Sequence, residues 1–293
     1  MGGGLPPSAP PPAPMADHDD PLPFAEDDSR NAPATGALDR LVRRFSRPAY
    51  GVVVAGLYAL AYTALGLGLA PALLLFDAVR AWAAGLTGAA HWVVLGTAAA
   101  AAFFVFGFTL LVVIPLYNLL LPTRVRPFRG GYYTLQAAPW MLHNALFYVV
   151  RFTFLPFVTL TPPGIWFLRS MGMRIGRHAF VNTEYISDPQ LITLGDDVAI
   201  GGSARIFAHY GGGGHLTVAP VVIEDRATIG LAATVMGDVV VGAGATVLAH
   251  SVLLPGSRVG AGETWAGVPA RRVPRAEMER IKVAIRGSGE ADA

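Results

Sequence analysis

From residue 223 onward, a large apolar side chain returns at every sixth position: Ile223, Ile229, Val235, Val241, Val247, Leu253, Val259 and Trp265. A second beat follows four places behind, in mostly small side chains: Ala227, Ala233, Val239, Ala245, Ser251 and Ser257. Neither the 3.6-residue period of a helix nor the 2.0-residue period of a strand produces this pattern. A parallel β-helix does, because each hexad is one short strand and one corner. The large residue is predicted to point into the prism and the small one to pack inside the bend. Gly230, Gly242 and Gly260 follow inward residues, where tight backbone turns are expected. Ile175, Val181, Leu194, Ile200 and Ile206 extend the beat backward, so the β-helix is predicted over residues 173–273. The beat breaks twice. One extra residue enters between Val181 and Leu194. The register is then lost through Tyr210-Gly211-Gly212-Gly213-Gly214-His215, which predicts a loop thrown out from a coil onto the working face.

Two earlier stretches have no polar alternation at all. Residues 49–76 and 92–121 contain no charged side chain, and each exceeds the roughly 20 residues that cross a bilayer as a helix. They are predicted to be two transmembrane spans within a region 37–129. Arg40, Arg43, Arg44 and Arg47 precede the first, and Arg124, Arg126 and Arg129 follow the second. The connecting segment offers Arg80 beside Asp77. Charge placement therefore puts both chain ends in the cytoplasm and the protein in a membrane, the bacterial inner membrane being expected. The next stretch, residues 130–172, is rich in Tyr, Trp and Phe but carries Pro139, Pro156, Pro162, Pro163 and Arg151. It reads as broken helices lying at the membrane interface; a third crossing is the alternative.

Composition agrees with a membrane protein. Of 293 residues, 53% are hydrophobic and only 14% charged. Residues 1–36, rich in Pro, Gly, Ala and Asp, lack the apolar content for a core and are expected to be disordered, with Met15 a possible true start. A net charge of +2 gives no reason to expect nucleic acid. Cysteine is absent, and the single lysine is Lys282, so arginine carries the basic load. Residues 274–293 are expected to supply a short helix, around 277–285, that caps the prism, and a tail.

His209 is the foremost chemical candidate. It lies three places after the inward Ile206 and just before the glycine run, so its side chain is predicted on the outside of the prism. Such a histidine can serve as a general base near neutral pH; an exposed histidine without a role is the alternative. His209, His215 and His250 also raise a zinc reading, but their spacing departs from the three-histidine set of the β-helical carbonic anhydrases, and no metal is expected.

The motifs Leu194-Gly195-Asp196-Asp197, Ile206-Phe207-Ala208-His209, Val222-Ile223-Glu224-Asp225-Arg226-Ala227-Thr228-Ile229-Gly230 and Ala266-Gly267-Val268-Pro269-Ala270-Arg271 resemble the left-handed β-helix, hexapeptide-repeat acyltransferase superfamily. They are similar to the maltose and galactoside acetyltransferase branch. The run from about 129 to 272 further resembles the membrane-bound C-terminal region of poly-lysine-synthetase-type nonribosomal peptide synthetases, without their adenylation or carrier domains. The resemblance implies transfer of an acyl group from CoA or a carrier-bound thioester to a hydroxyl or amine, with His209 as base. It places Asp188 where sugar acetyltransferases hold their acceptor, although a corner hydrogen-bond acceptor is an equal reading. Asn182 and Glu184 fall near the acceptor-side asparagine, one residue out of register. Gly230, Ala232 and Ala233 would admit a pantetheine arm, and Arg271 and Arg272 would meet CoA phosphates or an anionic membrane. It also implies a homotrimer with sites between subunits. A non-catalytic β-helix scaffold in a larger membrane assembly is the rival function.

Overall fold

The computed structural model describes residues 46–280 apart from 133 and 275, together with 37, 40 and 44. The expected tail 1–36, Arg43, and the part of the expected C-terminal helix beyond 280 lie outside the described residues; 276–280 are helical. Helices α1 (Ser46–Trp82) and α2 (Gly88–Leu120) form a hairpin joined by one 3₁₀ turn, Ala83–Gly85. Both are long and apolar enough to cross a membrane. The first helix runs further than the charge-free stretch. Asp77 and Arg80, expected in the connection, lie within α1 one turn apart and pair at 2.5 Å, which offsets their charges. The two helices meet through Ala64, Leu110 and Ile114, with the Tyr117 hydroxyl donating to Thr63 at 3.0 Å. Their other faces leave Val52, Tyr62, Leu74, Trp92, Val112 and Leu119 exposed. Bare apolar surface of this extent is unfavourable in water by roughly 25 cal/mol per Å² and neutral in lipid.

Three further helices follow: α3 (Ala138–Thr153), α4 (Leu155–Val158) and α5 (Pro162–Ser170). The prolines that argued against a third span sit in their first turns, where the missing N–H removes no hydrogen bond. None of the three is long enough to cross about 30 Å of hydrocarbon. They lie between the hairpin and the first coil of the solenoid. Phe154 packs edge-on to Phe103, Phe104 and Phe108 of α2. From there one buried cluster continues through Phe147, Phe167 and Met171 into Val181, Ile186 and Ile206. The helical region and the solenoid therefore share a single core.

The solenoid is a stack of about five coils with three parallel faces. In its regular part each residue pairs with the one eighteen places on: Ile223 with Val241, Val241 with Val259, Ile229 with Val247. The inward residues from Ile223 to Leu253 are fully buried, as are Ala227, Ala233, Val239, Ala245 and Ser251. The turn geometry differs from expectation. Positive φ falls not at Gly230, Gly242 or Gly260 but three places after each inward residue, at Arg226, Ala232, Asp238, Gly244, His250, Gly256 and Gly262. Gly230 is glycine for a different reason: a Cβ there would sit 2.5 Å from the Ala249 nitrogen of the next coil. The requirement is close stacking, not a left-handed turn.

Both breaks in the beat are built features. The extra residue forms a corner at residues 187–191, with Asp188 left-handed (φ 60) and a 3₁₀ turn at Pro189–Leu191. The glycine run is not an irregular loop but a β-hairpin of His209–Gly212 and His215–Val218. Its two-residue turn, Gly213-Gly214, has positive φ at both positions, as a tight hairpin demands. A third strand, Phe128–Gly131, arrives from the segment after α2 and pairs antiparallel with His215–Val218. The hairpin is thereby tied to the segment that leaves α2.

Candidate active site

His209 opens the hairpin at the end of strand Arg205–Phe207. Alternation along this strand sends Ile206 and Ala208 inward, both fully buried, and Arg205, Phe207 and His209 outward. The neighbouring strand Ile186–Ser187 pairs with it, Ser187 opposite Phe207, and the 188 corner follows. This brings the two break points of the repeat together. His209 Nδ1 lies 2.6 Å from Asp188 Oδ2. The His209 side chain keeps 24% of its surface open, while Asp188 is fully buried. With Nδ1–H donated to the carboxylate, Nε2 carries the lone pair, the tautomer a general base requires.

Helix α3 closes the site from above and was not recognised in the sequence as part of it. The Trp140 indole N–H donates to Asp188 Oδ1 at 2.6 Å, and the Asn144 amide donates to the same oxygen at 2.7 Å. Asn144 Oδ1 in turn accepts from the Asp188 backbone N–H at 3.2 Å. The Trp140 ring meets the His209 ring edge-on, centroids 5.2 Å apart. One turn further along, the Tyr148 hydroxyl is 2.6 Å from Ser187 Oγ. Trp140, Asn144, Tyr148 and Arg151 thus form one polar row at helical spacing, facing the solenoid. That spacing was the available signal within an aromatic-rich stretch.

A second buried cluster supports the corner. His143 Nδ1 lies 2.8 Å from Asn118 Oδ1 and 3.1 Å from Gln190 Nε2. Gln190 also donates to Thr123 O and accepts from Val125 N, tying the exit of α2 to the 188 corner. Burial pushes the His143 imidazole down to about 4, partly opposed by the Asp188 charge. His143 is neutral at physiological pH.

The chain matches no protein-family model and no curated relative. Solved structures similar to it are hexapeptide-repeat transferases and other acyltransferases. One is perosamine N-acetyltransferase from Caulobacter crescentus, solved with CoA and GDP-perosamine: 27% identity over 34% of this chain and 41% of that one, TM-score 0.28. A hexapeptide-repeat acetyltransferase from Vibrio cholerae shows 18% identity over 41% and 85% of the two chains, TM-score 0.34. Serine acetyltransferase from Neisseria gonorrhoeae shows 19% identity over 58% and 55%, TM-score 0.35. The chain spans less than half the length of the first.

The remaining sequence candidates do not join the His209–Asp188 pair. The N–H groups of Gly230, Ala232 and Ala233 are already bonded, to Val247 O, Gly202 O and Gly230 O, and Ala233 faces the interior. Gly230 and Ala232 are half-buried, and Ala232 forms a corner with φ 53. Arg271 and Arg272 lie on a strand, Ala270–Val273, folded back antiparallel on the last coil, three coils beyond His209. Arg272 pairs with Glu263 at 3.1 Å and lines a cleft of about 710 Å³ with Thr246, Leu248 and Thr264. His250 is an exposed corner residue and His215 is buried in the hairpin. Among the described residues no three His, Cys, Asp or Glu side chains converge as a metal site.

Proposed function

We propose that the protein is a membrane-anchored acyltransferase that moves an acyl group from CoA or a carrier thioester to a hydroxyl or amine. The observation that carries this reading is the 2.6 Å contact between His209 Nδ1 and the buried Asp188 carboxylate, on a histidine side chain that stays 24% exposed. Nε2 takes the proton from the acceptor hydroxyl or amine as its oxygen or nitrogen attacks the thioester carbonyl. The tetrahedral oxyanion collapses, the C–S bond breaks, and the leaving thiolate recovers the proton from the imidazolium. Asp188 stabilises that imidazolium and fixes its orientation. Trp140 and Asn144 position Asp188.

The exposed apolar faces of α1 and α2 support anchoring in a bilayer, and the arginines that flank the spans support a cytoplasmic solenoid, on the side where CoA thioesters are found. Ala232 remains the candidate contact for the pantetheine arm, and Arg271 for CoA phosphate. A trimer through the solenoid faces follows from the sequence resemblance; mass measurement in mild detergent checks it.

The test is thiol release from acetyl-CoA by the full chain with a bacterial lipid extract as acceptor source. Acceptor-dependent release that falls at least 100-fold in His209→Asn supports the proposal. Release that is absent in the wild type, or unchanged in the variant, overturns it in favour of the scaffold.

A further inference from the structure

Next to His209 lies a cationic cluster that the proton relay does not use. The Arg151 residue is only 7% exposed, yet among the described residues it pairs with no carboxylate. One terminal nitrogen donates weakly to Ser187 Oγ at 3.3 Å, and its Nε–H has no partner. Aromatic rings surround the guanidinium: Tyr148 at 5.0 Å, Phe152 at 5.1 Å, Tyr185 at 5.6 Å and Phe207 at 5.9 Å. A second cation, Arg205, sits 5.4 Å from the same Tyr185 ring and likewise lacks an acidic partner among the described residues. Aromatic faces partly offset a buried cation, but two arginines sharing one ring repel each other, and the idle Nε–H is one half of the fork that grips an oxyanion. The cluster borders His209: the Phe207 ring that flanks Arg151 has its centroid 6.0 Å from that of the His209 ring. Its rim is apolar, since Phe152 beside the guanidinium is 70% exposed.

The geometry points to an acceptor subsite in which Arg151, assisted by Arg205, binds a phosphoryl group of an amphiphilic acyl acceptor whose apolar part lies along Phe152. This rests on the acyltransferase reading for the word acceptor, but binding is measurable without turnover. The ligand is an anion because two cations without acidic partners meet at the Tyr185 ring, and an amphiphile because the exposed Phe152 ring lies beside them, at the layer between the apolar helices and the solenoid.

The experiment is calorimetric titration of the full chain, in neutral maltoside micelles at constant ionic strength, with dodecyl phosphate, inorganic phosphate and chloride. Dodecyl phosphate is expected to bind at least ten-fold more tightly than inorganic phosphate, with chloride silent. Arg151→Gln should abolish binding, and the exposed Arg205→Gln should weaken it at least five-fold. His209→Asn should bind as the wild type, so that loss of turnover and loss of the anion are separable. If Arg151→Gln does not fold, Arg205→Gln decides alone. Unchanged affinity in Arg205→Gln, or no binding by the wild type, overturns the subsite. Inorganic phosphate binding as tightly as dodecyl phosphate assigns the arginines to a soluble anion and overturns the amphiphilic acceptor.

Discussion

The coils from Ile223 to Trp265 and the coils from Val181 to Val221 have the same fold and opposite character. In the first group the hexad beat is unbroken, every inward residue repeats, and the surface carries corner residues such as Arg226 and His250. In the second the repeat is interrupted twice, at the 188 corner and at the 209–218 hairpin, and the interruptions meet at 2.6 Å. The regular coils supply stiffness and fixed spacing. The irregular ones use that frame to aim side chains that a perfect repeat would leave pointing at solvent. Covering them with α3 removes water from Asp188, which no corner of the regular coils achieves.

The largest expected effect falls in the interrupted half. His209→Asn should lower acyl transfer by about 10² to 10⁴, the usual share of general-base catalysis, without unfolding the protein. The variant leaves Asp188 one partner fewer, so a small drop in thermal midpoint is expected alongside. The regular half should respond the other way. Ile223→Ala removes a fully buried inward side chain and should destabilise the protein by about 2–5 kcal/mol, while the activity per folded molecule stays near wild type. Comparable losses of specific activity in both variants would erase the distinction between frame and site.

A pH experiment sharpens the contrast. The His143 imidazole in the folded protein titrates at about 4, below its ordinary 6.5. The unfolded chain therefore binds the proton first. The stability contributed by the neutral buried ring is complete above about 6.5, falls as pH drops toward 4, and changes no further below that. The loss across this window is roughly 3 kcal/mol, from 1.36 kcal/mol per pKa unit. Thermal unfolding between pH 7 and 4 should show it, and His143→Gln should flatten that slope. An equal slope in the variant would place the acid sensitivity elsewhere. The smallest effect is at His250, whose corner has φ 59. His250→Gly should raise stability by about 1 kcal/mol, because glycine adopts this region without Cβ strain, and should leave activity unchanged.

How much of this was legible in the sequence follows the same division. A period of six repeated from Ile223 to Trp265 admits one architecture, so the solenoid and its inward residues could be read directly. The charge-free runs announced the helix pair for the same reason, a pattern long enough to exclude alternatives. His209 stood out through its position beside the glycine run, and Asp188 through resemblance. The contact between them was not readable, because it depends on how two separate irregularities stack. The roles of Trp140 and Asn144 were hidden further, since they act across more than forty residues on a helix whose composition suggested only a membrane interface. The strand at Phe128–Gly131 has almost no strand signature, and only the hairpin that recruits it gives it that form.

The role of the His209–Asp188 pair is tested most sharply by an experimental structure of the full chain with a non-hydrolysable CoA thioester analogue. The acyl carbonyl is expected beside His209 Nε2, with the Asp188, Trp140 and Asn144 contacts intact. An acyl group bound elsewhere, for instance in the cleft lined by Thr246, Thr264 and Arg272, with His209 untouched, would contradict it.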